Sequence, residues 1–333
     1  MIIKEIGGGL GNQMFDYMLY LALKERRSDV KLSKWWLDHI SEKTELHARK
    51  YYLDKVFNIE ISEWASNKDI IRLGDYSRSI FARVRRRILK IPKIMKIHIN
   101  SLELVNHIWE QKGLIPRIKR KLGITKEVSH KTTAEYRPLV QRQFEEIVSS
   151  KNLYLTGFFT DFTYVKNIED KIRATFTFKN PLDDRNQVIA DQMADEAEVS
   201  VSVHIRRGDY MTPELVAFNV CKESYFKSAM KYFTDRFGSE TVHFYVFSDD
   251  IPWCRENIKA DKITFIDWNT GDDSYRDMQL MSLCKHNIIS NSTFSIWGAW
   301  LNANPDKIVI RPKVLFTNGI ERSLPDEWIV MDN

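Results

Sequence analysis

The run VSVSVHIRRGDY at residues 199–210 constrains this chain more than any other segment. Val199, Val201, Val203 and Ile205 alternate with Ser200, Ser202 and His204, the period of two of a β-strand. From here onward, short apolar segments at 199–205, 242–247, 262–266, 287–290 and 307–310 read as strands. Helical segments lie between them. The clearest spans 223–237, with Phe226, Ala229, Met230, Phe233 and Phe237 on one face; others cover 275–284 and about 294–301. Strand and helix alternating across short connections predict an α/β fold with a parallel sheet covered on both sides. Such sheets bind ligands in the crevice beyond the carboxyl ends of their strands. The polar residues just past those ends are therefore the candidates for chemistry.

The N-terminus opens a second unit of the same kind. Residues 1–6 read as a buried strand, Gly7-Gly8-Gly9-Leu10-Gly11 as a loop, and Met14, Tyr17, Met18, Leu21 and Ala22 as one helix face. The loop is not a dinucleotide fingerprint, because Met14 occupies the third glycine position of G-x-G-x-x-G, and no Walker lysine follows a glycine run. Residues 153–157 read as another strand, followed by Phe158, Phe159, Phe162 and Tyr164. At 333 residues the chain exceeds the usual size of one core, so two domains are expected.

Composition supplies exclusions. Apolar residues at 43% and charged residues at 29% fit a chain folded around a core. Fifty Lys and Arg against 45 Asp and Glu leave +5, too little to point to nucleic acid. Cys221, Cys254 and Cys284 form no C-x-x-C pair, so neither a disulfide framework nor a structural zinc site is expected. No signal-peptide pattern and no apolar run of about 18 residues occurs, and the expectation is a cytoplasmic protein. From Arg78 to Lys96, eight basic residues alternate with Ile, Phe, Leu and Met, and no acid intervenes. That run suits peripheral contact with an anionic membrane face, phosphates or nucleic acid, or else a solvated helix face with a linker near Pro92.

At the strand ends, His204 and Arg206 leave the first strand on the same side, and Arg207, Gly208 and Asp209 form the turn. Two guanidiniums beside a glycine can cradle a diphosphate, because each fork takes two oxygens. The plainer alternative is an Arg206–Asp209 salt bridge with His204 a hydrogen-bonded core residue. The segment 242–247 ends in Ser248-Asp249-Asp250. A carboxylate there can accept from a guanine edge or a ribose, hold a divalent cation, or start the next helix. The segment 287–290 runs into Asn291-Ser292-Thr293-Phe294. Ser292 or Thr293 can cap a helix, and a helix N-terminus can also receive an anion. Convergence of Arg206, Ser292 and Thr293 on one diphosphate favours a nucleotide-diphosphate ligand.

These segments resemble a known family. His204 to Tyr210 is similar to the H-x-R-R-G-D-Y signature of the α-1,2-fucosyltransferases, glycosyltransferase family 11 of the bacterial type. GGLGNQMF at 8–15 and DMQLMSLCKHNIISNSTFSIWGAWLN at 277–302 agree with the same family in the same order. The resemblance implies the GT-B architecture, two Rossmann-like domains with parallel sheets facing a cleft. Residues 1–180 would form the acceptor-side domain and 181–333 the GDP-fucose domain. It implies an inverting transfer of L-fucose from GDP-L-fucose to the 2-hydroxyl of a terminal β-galactoside, in the synthesis of O-antigen or other surface polysaccharide on a lipid carrier. Neither a metal nor a cofactor beyond the donor substrate is implied, nor a nucleic-acid partner.

By the same resemblance Arg206 holds the donor β-phosphate, His204 lies beside it, and Asp249 reads guanine or ribose. Ser292, Thr293 and Phe294, preceded by Asn291, form a phosphate-binding segment. Gly11, Asn12 and Gln13 line the substrate, with Asn12 facing fucose and acceptor. Asp16 stands where relatives often carry glutamine, Ile296 replaces one of two adjacent tryptophans, and 157–161 matches the relatives' acceptor-side stretch only loosely. Asp209 is the candidate general base by proximity, with pairing to Arg207 as its structural rival. Three alternatives stand beside this reading: a metal-dependent glycosyltransferase using Asp249 and Asp250, a non-catalytic carbohydrate-binding protein, and a nucleic-acid-binding protein.

Overall fold

The computed structural model describes residues 1–39, 49–74, 126–129, 141–162, 164–213, 215–315 and 323–333. The basic run from Arg78 to Lys96 lies outside the described residues. The chain divides into two compact units, Met1–Asp54 with Ile59–Ile172, and Lys55–Asn58 with Arg173–Asn333. The division after Ile172 compares with the sequence expectation of 180/181.

Unit 1 holds a four-stranded parallel sheet of β1 (Ile2–Glu5), β2 (Val30–Ser33), β3 (Lys126–Ser129) and β4 (Leu153–Thr156), in the order β2-β1-β4-β3. After β1 the glycine loop turns the chain into α1 (Leu10–Arg26), which buries Met14, Phe15, Met18, Leu19, Ala22 and Leu23. Leu, Met and Ala dominate this helix and suit its interior, and Lys24 and Arg26 oppose the dipole in its last turn. The strand order reverses between β1 and β4, so the crevice at their carboxyl ends is the switch point of this sheet.

Unit 2 is a six-stranded, all-parallel sheet of β5 (Val199–Ile205), β6 (Val242–Ser248), β7 (Ile263–Ile266), β8 (His286–Ile288), β9 (Val309–Pro312) and β10 (Ile329–Met331). Its order is β10-β9-β8-β5-β6-β7, the doubly wound Rossmann arrangement. Val201, Val203 and Ile205 of β5 pack with Phe226, Ala229, Met230 and Phe233 of α2 (Glu223–Phe237). Truncating one such buried phenylalanine to alanine costs about 3–5 kcal/mol.

The opposite face of β5 is polar but satisfied. Ser200 Oγ donates to Met193 O and accepts from Lys285 N, and Ser202 Oγ accepts from Asn287 Nδ2 at 2.7 Å. Small hydroxyls therefore alternate with valine without leaving buried donors or acceptors unmade. Residues 275–284 form a shorter helix than expected, α3 (Tyr275–Met281), and α4 (Thr293–Leu301) follows β8. The terminal strand β10 is apolar but only three residues long, shorter than the usual strand signal of about 4–8 residues, and is absent from the sequence reading.

Candidate active site

In unit 2 the reversal of strand order falls between β5 and β8. The sequence puts its two most distinctive segments there, because Arg206 follows β5 while Asn291 to Phe294 follow β8. His204, the penultimate residue of β5, is buried, with Nδ1 3.0 Å from Ser290 Oγ and its ring 5.7 Å from that of Phe294. Burial, reinforced by the neighbouring Arg206 charge, pushes its pKa down to about 3, so the ring is neutral at physiological pH.

Arg206 stands at the rim with its side chain 27% exposed. Its Nη2 donates to Asp209 Oδ2 at 2.7 Å, and Nη1 lies 3.1 Å from Asp249 Oδ2. Burial works against this charge, but Asp249 and Asp209 outweigh it and hold the guanidinium above its ordinary pKa. Asp209 pairs with Arg206 and not with Arg207. It sits on the short 3-10 turn Asp209–Met211, which carries it back toward the residue three positions earlier.

Both guanidiniums of the expected cradle are paired with carboxylates, Arg206 with two and Arg207 with one. Arg207 Nε donates to Asp250 Oδ2 at 3.1 Å, and its guanidinium lies over the Trp253 ring at 4.0 Å. Asp250 also caps the helix Ile251–Asn257 by accepting from Trp253 N at 3.3 Å. The Arg207 side chain is 20% exposed, against 27% for Arg206. Asp249 Oδ1 accepts from Arg207 N at 2.8 Å while Oδ2 meets Arg206, so both oxygens hold the arginine turn. A Cβ at Gly208 would come within 2.6 Å of Asp249 Oδ2, a contact only glycine permits. Among the described residues, no group of three His, Cys, Asp or Glu side chains is placed to hold a metal ion.

At the end of β8, Ser292 caps α4 by accepting from Phe294 N at 3.3 Å, and Thr293 and Phe294 are partly exposed beside it. Asn291 is placed differently. It is 1% exposed, and its amide donates to Phe218 O and Leu315 O at 2.9 and 2.8 Å. Its side chain ties two loops together and does not reach the rim.

In unit 1 the glycine loop lies at the β1/β4 switch point. Gly8 has φ +70°, and a Cβ there would meet Asn12 Nδ2 at 2.7 Å and the Phe158 ring at 2.9 Å. Asn12 stays partly exposed, whereas Gly11 and Gln13 are buried. Gln13 Nε2 donates to Gly8 O and Lys50 O, and its Oε1 accepts from Tyr52 N at 2.9 Å. Gln13 is thus a brace for the loop, and Asn12 is the member of the trio left at its surface.

Sequence reasoning missed the buried charges beneath this loop. Lys4 and Asp16 are 0% and 1% exposed and form an ion pair at 2.7 Å. Lys4 Nζ also donates to Gly157 O at 3.1 Å, and Asp16 Oδ2 accepts from Gly7 N at 3.1 Å, so the pair joins the loops after β1 and β4. Glu5 accepts from Ser33 Oγ, Trp36 N and the Tyr154 hydroxyl, and burial pushes its pKa up to about 8. Two charged residues inside an otherwise apolar first strand were the available signal.

The sequence pattern described as Glycosyl transferase family 11 matches residues 2–330. The O-antigen biosynthesis glycosyltransferase WbnK of Escherichia coli is 31% identical, over 97% of this chain and 98% of that protein. An alpha-1,2-colitosyltransferase of Escherichia coli is 30% identical over 99% of this chain and 98% of its own length. Galactoside alpha-(1,2)-fucosyltransferase 1 of Lagothrix lagotricha is 32% identical over 45% of this chain and 43% of that protein.

Proposed function

Since the chain belongs to glycosyl transferase family 11, we propose that it transfers L-fucose from GDP-L-fucose to the 2-hydroxyl of a terminal β-galactoside in O-antigen synthesis. The observation that carries this reading is Arg206 at the end of β5, beside the Ser292-capped helix, at the reversal of strand order in unit 2. That is where a doubly wound sheet receives a nucleotide.

Cleavage of the fucosyl C1–O bond loads negative charge on the departing GDP, and a fixed guanidinium stabilises it as it develops. Asp209 Oδ2 and Asp249 Oδ2 both meet the Arg206 guanidinium. A diphosphate that takes the Arg206 fork must displace one of these carboxylates. Asp209, on its short turn, is the carboxylate exchanged in this reading, while Asp249 keeps Arg207 N. Displaced from Arg206, Asp209 can accept the proton of the acceptor hydroxyl as it attacks the face opposite GDP. Neutral, buried His204 supports the pocket wall through Ser290. Asn12, at the loop surface of unit 1, is the acceptor-side contact.

A colitosyl donor is the second reading, favoured by the relative of that name. Incubating the protein with GDP-fucose, or with the corresponding colitosyl nucleotide, and a panel of β-galactosides, followed by linkage analysis, tests both. No 1,2-linked product from either donor would refute the assignment. Loss of turnover in EDTA would favour a metal-dependent enzyme. The lipid-carried acceptor and docking through the run from Arg78 to Lys96 belong to the same proposal. A Lys or Arg near an anionic surface contributes about 1 kcal/mol, so absence of co-sedimentation with anionic vesicles at low salt would remove the docking.

A further inference from the structure

The Ser248-Asp249-Asp250 segment at the end of β6 has the chemistry to read a base, a ribose or a cation, but its side chains are directed elsewhere. Each aspartate takes the arginine opposite it across the β5–β6 pair, Asp249 with Arg206 and Asp250 with Arg207. Asp249 holds three parts of the turn at once. Oδ1 accepts the Arg207 N–H at 2.8 Å, Oδ2 pairs with Arg206 Nη1 at 3.1 Å, and the carboxylate fills the space a side chain at Gly208 would need. The turn is therefore moulded on this one carboxylate. Each oxygen already carries one of these contacts, so about half of the carboxylate's acceptor sites are spent on the turn.

We propose that Asp249 is a positioning residue, which aims the Arg206 guanidinium at the donor diphosphate and does not itself read the nucleoside. This rests on the nucleotide-sugar reading of unit 2 and specifies how its anion site is built. Asp209 and Asp249 then have separate tasks although both meet Arg206. Asp209 is exchanged for the diphosphate, and Asp249 remains as the fixed backing that keeps the fork planar to the incoming oxygens.

The test compares Asp249→Asn with wild type for binding of guanosine, GMP, GDP and inorganic pyrophosphate by calorimetry. The asparagine oxygen can still accept from Arg207 N, so the fold is retained while the charge behind Arg206 is removed. Expected are guanosine and GMP affinities within about twofold of wild type, with GDP and pyrophosphate affinities down about 10-fold or more, the scale of a lost charge-assisted bond. In an Arg206→Ala background, Asp249→Asn should add less than about twofold, because the residue acts through that arginine. An equal loss across guanosine, GMP and GDP would overturn the proposal, as would additivity with Arg206→Ala. Wild-type protein that binds no pyrophosphate would overturn it too. Failure of GDP-fucose turnover in wild type, with the pyrophosphate pattern intact, would strike the donor reading and leave the positioning role standing.

Discussion

Adding one methyl group at Gly208 gives a sharp probe of the arginine turn. The Cβ of Gly208→Ala would lie 2.6 Å from Asp249 Oδ2 and 2.9 Å from its Cγ. Relieving the clash to an ordinary contact of 3.4 Å requires a retreat of about 0.8 Å. The carboxylate cannot withdraw freely, because Oδ1 holds Arg207 N at 2.8 Å and Oδ2 holds Arg206 at 3.1 Å. A shift of that size stretches at least one of these contacts beyond hydrogen-bonding range. The loss is about 1.5–3 kcal/mol for a bond to a charged group. Through Arg206 it appears in transition-state stabilisation as a fall in kcat/KM of roughly 10- to 150-fold. The assay is steady-state transfer from GDP-fucose to a β-galactoside, with circular dichroism to verify that the sheet is intact. Gly208→Ala with kcat/KM within twofold of wild type would refute the reasoning, since the methyl would then have found room the geometry denies it.

Three other outcomes are expected. Arg206→Lys should lower kcat/KM by about 10²–10³, because an ammonium supplies no planar fork; near-normal turnover would remove Arg206 from its role. Asp16→Asn leaves the Lys4 ammonium buried without its carboxylate and should cost about 3–5 kcal/mol in denaturant unfolding. The double variant Lys4→Met with Asp16→Leu should cost less, and equal losses would show that the ion pair is not the cause. Burial lifts Glu5 from its ordinary 4.5 to about 8, so between those values the folded protein holds a proton that the unfolded chain has released. Its contribution to stability is full below pH 4.5 and is lost as pH rises toward 8. Urea midpoints should fall across that window in wild type and change less in Glu5→Gln, and parallel profiles would contradict the assignment.

Local pattern carried most of the secondary structure of unit 2. The helix at 223–237 was legible to the residue because five apolar side chains repeat on one face and Gly238 ends it. The strand at 199–205 was legible because valine alternates with groups small enough to be satisfied in a buried face. Boundaries drifted where hydrogen bonding, rather than polarity, ends an element. Thus β8 stops at Ile288 while Ile289 and Ser290 remain buried, and β10 was missed because only three residues carry it.

Among the candidate site residues, the positions of His204, Arg206, Ser292 and Thr293 at the ends of β5 and β8 followed from chain order. Their partners did not. Whether Arg207 helps cradle a ligand or stacks on Trp253 depends on a contact between residues 46 positions apart. The diversion of Gln13 to Lys50 O and of Asn291 to Leu315 O depends on loops far along the chain. Polar side chains at a strand end compete for backbone groups, water and ligand alike, and sequence alone does not disclose which competitor lies within 3 Å.

The amino-acid sequence by itself determined the alternation of strands and helices, the glycine loop, the capped helix after β8 and the family likeness. Each of these is written in short-range periodicity, steric permission or contiguous residue identity. Only the tertiary structure decided that Arg206 meets Asp209 and Asp249 while Arg207 takes Asp250 and the Trp253 ring, and that a lysine and an aspartate are buried together beneath the glycine loop. Those outcomes depend on strand order and register, which bring together side chains the chain keeps apart. A charge buried this way is stable only against the particular neighbour that folding supplies.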